Sequence, residues 1–73
     1  MKLQVKDIPQ IYNLDKVRIY KGNAFVGETW VGSSLQMYLQ EKFPDHLADV
    51  VNELSICVEG CLSDVVVLEI YVK

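Results

Sequence analysis

The strongest structural signal in this chain is Asp64-Val65-Val66-Val67-Leu68-Glu69-Ile70-Tyr71-Val72-Lys73. β-Branched residues dominate the segment, and because they sit well on a pleated surface and form helices poorly, it predicts a strand. Side chains alternate across a strand, so one face carries Val66, Leu68, Ile70 and Val72, and the other carries Val65, Val67, Glu69 and Tyr71. The first face is wholly apolar and is predicted to form the core. The second is more apolar than a fully solvated face usually is, which makes it a candidate interaction surface.

Size and composition indicate one small globular domain. The 73 residues are 51% hydrophobic and 23% charged, which is not the composition of a disordered chain. A domain of this length buries only about 60% of the surface of its unfolded chain, so self-association is a common source of added stability. No apolar run approaches the roughly 20 residues of a membrane span, and no signal peptide is recognisable, so we expect a cytoplasmic protein.

Charge is unevenly distributed along the sequence. The net charge is -3, but residues 1–21 have a balance of +3 and residues 41–69 a balance of -6. Ordinary solvated surface is one interpretation of the acidic segment. The other is an acidic face that binds a basic protein partner, for which Asp45, Asp49 and Glu53 are the candidate residues. The overall acidity disfavours direct binding of nucleic acid, which requires clustered Lys and Arg.

The first third of the chain predicts a short strand at Lys2–Val5 and then a short helix, with Asp7 as N-cap, through about Tyr12. Ile8, Ile11 and Tyr12 would face the core from this helix, and Asn13 would close the turn after it.

From Lys16 the hydrophobic period changes to two, which predicts a strand up to Lys21 and a return strand Phe25–Val31. The Gly22-Asn23 pair between them suits a tight hairpin turn. Gly27 inside the return strand indicates a β-bulge or a close approach by another group.

A helix is predicted over Ser34–Phe43, with Ser33 or Ser34 as N-cap and Pro44 as its end. Residues 45–59 fit either a helix or a strand. We favour one helical turn at Asp45–Ala48 and then a strand from Val51 to Val58. Gly60 would turn the chain through a loop at residues 59–64 into the final strand, as a second hairpin.

These elements predict an α+β fold, a small antiparallel four-stranded sheet of two hairpins covered on one face by one helix, plus a short N-terminal helix. The sequence leaves the strand order open. The uncovered face would carry some of Arg18, Tyr20, Cys57, Val65, Val67 and Tyr71. Whether Phe25 or Trp30 joins them depends on the register at Gly27.

No catalytic, cofactor or metal site is recognisable. Cys57 and Cys61 are separated by three residues, which matches neither a redox pair nor a complete zinc site, and free thiols, a disulfide and an intermolecular metal site remain the alternatives. The single histidine, His46, has no readable nucleophile partner. The glycines match no phosphate-binding loop. We therefore expect a protein that is not an enzyme.

Three segments together resemble small uncharacterised proteins of Firmicutes prophages and mobile elements. They are Val5-Lys6-Asp7-Ile8, Asp15-Lys16-Val17-Arg18-Ile19-Tyr20-Lys21-Gly22-Asn23 and Leu68-Glu69-Ile70-Tyr71-Val72. The resemblance covers about half of the chain, contains no diagnostic motif and transfers no functional residue. It implies a bacterial host cell, where short phage proteins include inhibitors of bacterial immunity, such as anti-CRISPR proteins.

The leading functional hypothesis is a non-enzymatic protein-binding module, an inhibitor of a bacterial defence complex, which uses the uncovered sheet face or the acidic segment. Its candidate protein-binding residues are Tyr20, Trp30, Asp45, Asp49, Glu53, Val65, Val67 and Tyr71. We also expect a homodimer. The alternatives are an oligomer that binds a small ligand such as a signalling nucleotide between its subunits, and a structural homodimer.

Overall fold

The computed structural model describes residues 2–32 and 34–73 and has an α+β fold. Its strands are β1 (Lys16–Lys21), β2 (Ala24–Trp30), β3 (Val51–Glu59) and β4 (Val65–Val72), its helix is α1 (Leu35–Lys42), and 3-10 turns lie at Val5–Asp7 and Pro44–His46. The prediction of an α+β fold is therefore confirmed.

The four strands form one mixed sheet in the order β2-β1-β4-β3. Both predicted hairpins are present, because β1 pairs antiparallel with β2 and β3 pairs antiparallel with β4. The prediction of an antiparallel sheet is wrong at the centre, where β1 and β4 are parallel. The helix between β2 and β3 explains the difference. A helical crossover lets two strands run in the same direction, so β3 runs parallel to β2 and its hairpin partner β4 returns in the direction of β1.

The β-bulge predicted near Gly27 is confirmed. Ile19 pairs with Gly27 while Tyr20 pairs with Phe25, so Val26 is an extra residue on β2. Gly27 is also a point of close approach, since a Cβ placed there would lie 3.1 Å from Cε1 of Phe43. Phe25 and Trp30 are five residues apart and would face opposite sides of a regular strand, but the bulge brings both to the same face.

Helix α1 begins and ends where the sequence predicts. The Oγ of Ser34 accepts a hydrogen bond from the backbone N–H of Met37 at 3.3 Å, as an N-cap does. Ser33, the other candidate cap, lies outside the described residues. The N–H of Phe43 donates to the carbonyl of Leu39 at 2.8 Å, and Pro44 then opens the second 3-10 turn. None of the described helices combines the length and apolarity needed to cross a membrane.

The N-terminal segment differs from its prediction. Instead of a strand and a helix, it forms a single bridge between Gln4 and Val50 and a 3-10 turn at Val5–Asp7. Ile8 is extended, with φ -66° and ψ 125°, because a residue before proline avoids helical geometry. Ile8 is buried as expected, whereas Tyr12 is 78% exposed and does not join the core.

The ambiguous segment after α1 resolves largely as favoured. The helical turn at Asp45–Ala48 is replaced by the 3-10 turn Pro44–His46, and the strand over residues 51–58 is confirmed with Glu59 added to its end. The pairing with β4 shifts register between Val51 and Glu53. Gly60, at a φ of 120°, begins the connection to β4, where an L side chain would be strained.

The core combines side chains of the helical segments with side chains on one face of β1 and β4. Its buried cluster consists of Val5, Ile8, Leu14, Val17, Ile19, Leu35, Leu39, Phe43, Leu68, Ile70 and Val72. Side chains from α1 and from both central strands therefore belong to one cluster, as the apolar face of the final strand predicts.

Leu39→Ala tests this core. Leu39 is 0% exposed, so truncation leaves a cavity, and we expect the free energy of unfolding to fall by about 2–5 kcal/mol. Met37→Ala is the matched control on the same helix, because Met37 is 53% exposed, and we expect a change within about 0.5 kcal/mol. Urea denaturation measures both values. Similar losses for the two variants would contradict the placement of Leu39 in the core.

Candidate functional site

The face of the sheet opposite the core is a polar and aromatic surface, which we call the Arg18 face. Side chains of paired residues lie on the same face, so the strand register defines its members. They are Lys16, Arg18 and Tyr20 of β1, Phe25, Glu28 and Trp30 of β2, Glu53, Ser55, Cys57 and Glu59 of β3, and Val65, Val67, Glu69 and Tyr71 of β4.

Arg18 lies at the centre of this face and binds one carboxylate from each of the other three strands. Its Nη1 and Nη2 donate to the two oxygens of Glu59 at 2.9 and 3.0 Å. Nε and Nη2 donate to Oε2 of Glu28 at 3.1 and 3.0 Å, and Nη1 reaches Oε2 of Glu69 at 3.3 Å. The side chain of Arg18 is only 14% exposed. A planar guanidinium with five donors suits such a site, because it can bind one carboxylate through two parallel hydrogen bonds and still donate to others, whereas a lysine has three donors on a single nitrogen.

The ion pairs stabilise the charged forms of the groups involved. Hydrogen bonds to Glu59 and Glu28 raise the pKa of Arg18. The hydrogen bond from Arg18 holds the pKa of Glu59 below its ordinary value. The face carries two cations and four carboxylates, so it keeps two negative charges in excess. Its pairs also join the basic segment 1–21 to the acidic segment 41–69, and much of the charge separation seen in the sequence is thus neutralised within the fold.

Three aromatic rings lie in a row at one end of the face. Tyr20 stacks on Tyr71 with ring centroids 5.0 Å apart and planes 10° apart, and Phe25 meets Tyr20 edge to face at 5.8 Å. Both geometries are favourable for aromatic pairs. Burial and the nearby Glu69 carboxylate raise the pKa of Tyr71. Glu53 of β3 pairs with Tyr71 of β4 at the end of this row. Glu53 forms no ion pair with any residue that the structure describes.

A second apolar area lies at the opposite end of the face. Trp30 is 60% exposed, and the Nζ of Lys16 lies 4.6 Å from the centroid of its ring, a cation-π contact. Val67 is 0% exposed although it lies outside the main core cluster, and its register neighbours are Lys16 and Cys57. Burial and the Glu69 and Glu59 carboxylates raise the pKa of the Cys57 thiol. Cys57 and Cys61 are both free thiols, Cys57 half-buried and Cys61 exposed.

The Arg18 face brings together six of the eight residues that the sequence identified, namely Tyr20, Trp30, Glu53, Val65, Val67 and Tyr71. The two others lie elsewhere. Asp45 is exposed on the second 3-10 turn. Asp49 accepts from Nδ1 of His46 at 2.8 Å and from Nζ of Lys21 at 3.4 Å, and the hydrogen bond from His46 lowers the pKa of Asp49.

Sequence reasoning missed the carboxylates that surround Arg18. The sequence predicts Glu59 in a loop, whereas β3 extends to include it. The sequence assigns Glu28 to neither face, because a bulge at Gly27 leaves the register of β2 open. Glu28 and Trp30 are two residues apart in the strand, and this spacing indicates that both lie on the same side of it.

No family model, curated protein sequence or solved structure matches this chain. Within residues 2–32 and 34–73 there is no pocket and no group of three His, Cys, Asp or Glu side chains arranged to hold a metal ion.

Glu59→Gln tests the ion pairs of Arg18. Glu59 has a folded-state pKa below its ordinary value of 4.5, so its carboxylate adds stability above that pH, and the contribution is lost as pH falls through the lower value. We expect the wild-type free energy of unfolding to fall more steeply than that of Glu59→Gln between about pH 6 and about pH 3. Urea denaturation across this range measures the difference.

An Arg18→Gln background is the control for this experiment. Without the guanidinium, Glu59→Gln is expected to leave the pH dependence of stability nearly unchanged. Parallel pH profiles for wild type and Glu59→Gln would show that the Arg18 pair adds nothing to stability.

Proposed function

We propose that this chain is a non-enzymatic protein-binding module and that the Arg18 face is its binding surface. One observation carries the proposal: Phe25 and Trp30 lie on this face with 57% and 60% of their surfaces exposed, on either side of the Arg18 ion pairs. Large exposed aromatic side chains on one face are typical of protein interfaces, where Trp, Tyr and Arg supply most of the binding energy.

The exposed aromatic residues have supporting contacts within the chain. Lys16 lies over the ring of Trp30, and Tyr20 supports Phe25 from the side and is itself stacked on Tyr71. An anchor held in one position loses little conformational entropy when a partner covers it. We propose that α1 covers the opposite face of the sheet and leaves the Arg18 face open to a partner.

The charges of the face favour a basic partner. Four carboxylates against two cations leave a negative surface, and Glu53 at its margin remains available for an ion pair. The same excess of carboxylates disfavours nucleic acid as the ligand. In line with the resemblance to prophage proteins, we propose that the partner is a protein of a bacterial defence complex and that the chain inhibits it by stoichiometric binding.

Trp30→Ala tests the proposed surface. Affinity capture from a bacterial host lysate, with quantitative mass spectrometry, would first compare the proteins bound by the wild type and by this variant. For a purified partner, we expect Trp30→Ala to raise the Kd by at least about tenfold, since truncation of an aromatic anchor that a partner covers costs more than about 1.4 kcal/mol. Phe25→Ala should act in the same direction.

Tyr12→Ala is the matched control. Tyr12 is 78% exposed but lies in the turn before β1, outside the Arg18 face, so its removal should leave capture and Kd unchanged. Circular dichroism would verify that all three variants are folded. Equal capture by wild type, Trp30→Ala and Phe25→Ala would remove the Arg18 face from the proposal.

A further inference from the structure

The outer edge of β3 is a second surface of interest, distinct from the Arg18 face. β3 is nine residues long and lies at the edge of the sheet, with β4 on its inner side. On its outer side, the N-terminal segment pairs only with the start of the strand, where the N–H of Val51 donates to the carbonyl of Leu3 at 2.7 Å. No residue within 2–32 and 34–73 pairs with this edge between Leu54 and Val58.

Backbone groups that point outward from this edge can be identified from the bonds of β4. The carbonyls of Val66 and Val72 accept hydrogen bonds from Asp15 at 2.9 Å and Gly22 at 3.1 Å, both on the β1 side. Because bonding direction alternates along a strand, the residues of β4 that bond to β3 are 65, 67, 69 and 71, whose partners are 59, 57, 55 and 53. The N–H and C=O groups of Leu54, Ile56 and Val58 therefore point to the free edge.

The side chains of the same three residues are apolar and exposed. Leu54, Ile56 and Val58 pair with Ile70, Leu68 and Val66, so they lie on the core side of the sheet, but they are 38%, 58% and 61% exposed. Between Leu54 and Val58, β3 contains no charged residue and no proline, the residues that commonly protect an edge strand from pairing with another chain. This edge therefore offers both unpaired backbone groups and uncovered apolar side chains.

We propose that two copies of this chain form a homodimer by antiparallel pairing of their β3 strands, with the two-fold axis through Ile56. Side chains that face each other across such a pair lie on the same side of the sheet. In this register Ile56 faces Ile56 of the second copy, and Leu54 of each copy faces Val58 of the other. The backbone N–H and C=O groups of Leu54, Ile56 and Val58 point to the free edge, so these pairs can also form hydrogen bonds between the two copies.

The self-complementarity of the strand favours a second copy as the occupant. An axis through Ser55 would place Val58 opposite Asn52 of the second copy, and an axis through Cys57 would place Leu54 opposite Gly60. Of these three registers, only the one with its axis through Ile56 places an apolar side chain of the second copy opposite each of the three exposed apolar side chains. On the Arg18 face this register places Ser55 opposite Cys57. At its ends Glu53 faces Glu59 of the other copy, a carboxylate that Arg18 already binds through both oxygens.

The dimer would also combine the two Arg18 faces. A two-fold axis perpendicular to the sheet keeps equivalent faces on the same side, so the eight-stranded sheet presents two Arg18 faces side by side. A partner with two binding sites would then gain avidity that one copy does not provide.

Sedimentation velocity over a range of concentrations tests the dimer. We expect a monomer-dimer equilibrium for the wild type, and at least about a tenfold rise in the dimer Kd for Ile56→Lys, which places two like charges opposite each other at the axis. Met37→Lys is the matched control, because Met37 is 53% exposed on α1, and its dimer should be unchanged. Trp30→Ala should also keep the dimer, so this result is independent of the proposed binding function. A wild type that stays monomeric overturns the proposal.

Disulfide cross-linking tests the register. All variants would carry Cys61→Ser and would be oxidised at alkaline pH, because the pKa of Cys57 is raised. Residues 55 and 57 of opposite copies form a non-hydrogen-bonded pair in the proposed register, which is close enough for a disulfide. We expect covalent dimers for Ser55→Cys with Cys57 retained, but not for Cys57 alone or for Ser55→Cys combined with Cys57→Ser.

Other cross-linking patterns would contradict this register. Covalent dimers of the variant with Cys57 alone would move the axis to Cys57, and those of Ser55→Cys combined with Cys57→Ser would move it to Ser55. The absence of covalent dimers from all three variants would exclude the registers centred on Ser55, Ile56 and Cys57 and so overturn the proposal. This outcome would also show that a loss of dimer in Ile56→Lys came from unfolding of the chain.

Discussion

The parallel pairing of β1 with β4 is the constraint on which the rest of this fold depends. Each hairpin is held by local antiparallel pairing, but only the β1–β4 contact joins the two hairpins into one sheet. On the core side it aligns Val17 with Leu68 and Ile19 with Ile70, four side chains that are at most 1% exposed. A two-stranded hairpin is at best marginally stable by itself, so the burial along this seam provides the cooperativity that neither hairpin has alone.

The same pairing determines what the opposite face looks like. It places Arg18 directly beside Glu69, and the hairpin partners then bring Glu28 from one side and Glu59 from the other. A slip of one residue between β1 and β4 would turn Arg18 toward the core and an apolar side chain toward water. The guanidinium would then lose its carboxylates in a medium that solvates a charge poorly. The Arg18 pairs therefore favour the correct register, even though a partly exposed ion pair adds little net stability.

Local features of the fold were predictable because they depend on neighbouring residues. Ser34 and Pro44 bound the helix, Gly22 and Asn23 turn the first hairpin, and Gly27 marks the bulge. Strand order and direction were not predictable in this way, because they depend on how β1 meets β4, about fifty residues away along the chain. The prediction for the N-terminal segment was wrong for a related reason. Its helical pattern was outweighed by Pro9 and by pairing with Val50, a contact that no local pattern indicates.

Most of the candidate site followed from the alternation along β4, which correctly identified Val65, Val67 and Tyr71 as one face. The ion pairs were not predictable in this way. A sequence shows how many carboxylates a segment contains, but not which cation each carboxylate contacts in the fold. Within the acidic segment 41–69, Arg18 binds Glu59 and Glu69, and His46 and Lys21 bind Asp49, so counts of charge along the segment overstate the acidity that a partner would encounter.

The Arg18 face and the outer edge of β3 differ in whether their polar groups already have partners within the chain, so each surface can form a different kind of interaction. Charges at the centre of the Arg18 face already have partners within the chain, so a ligand there would gain mainly from covering Phe25 and Trp30. Backbone groups and apolar side chains at the edge of β3 have no such partners among the described residues, so pairing there would satisfy directional hydrogen bonds and bury apolar surface together. An exposed face formed by side chains can accommodate a foreign protein of many shapes. An edge whose apolar residues are symmetric about Ile56 is best matched by the same strand in reverse, so the proposed self-association and the proposed partner binding would use different surfaces of one sheet.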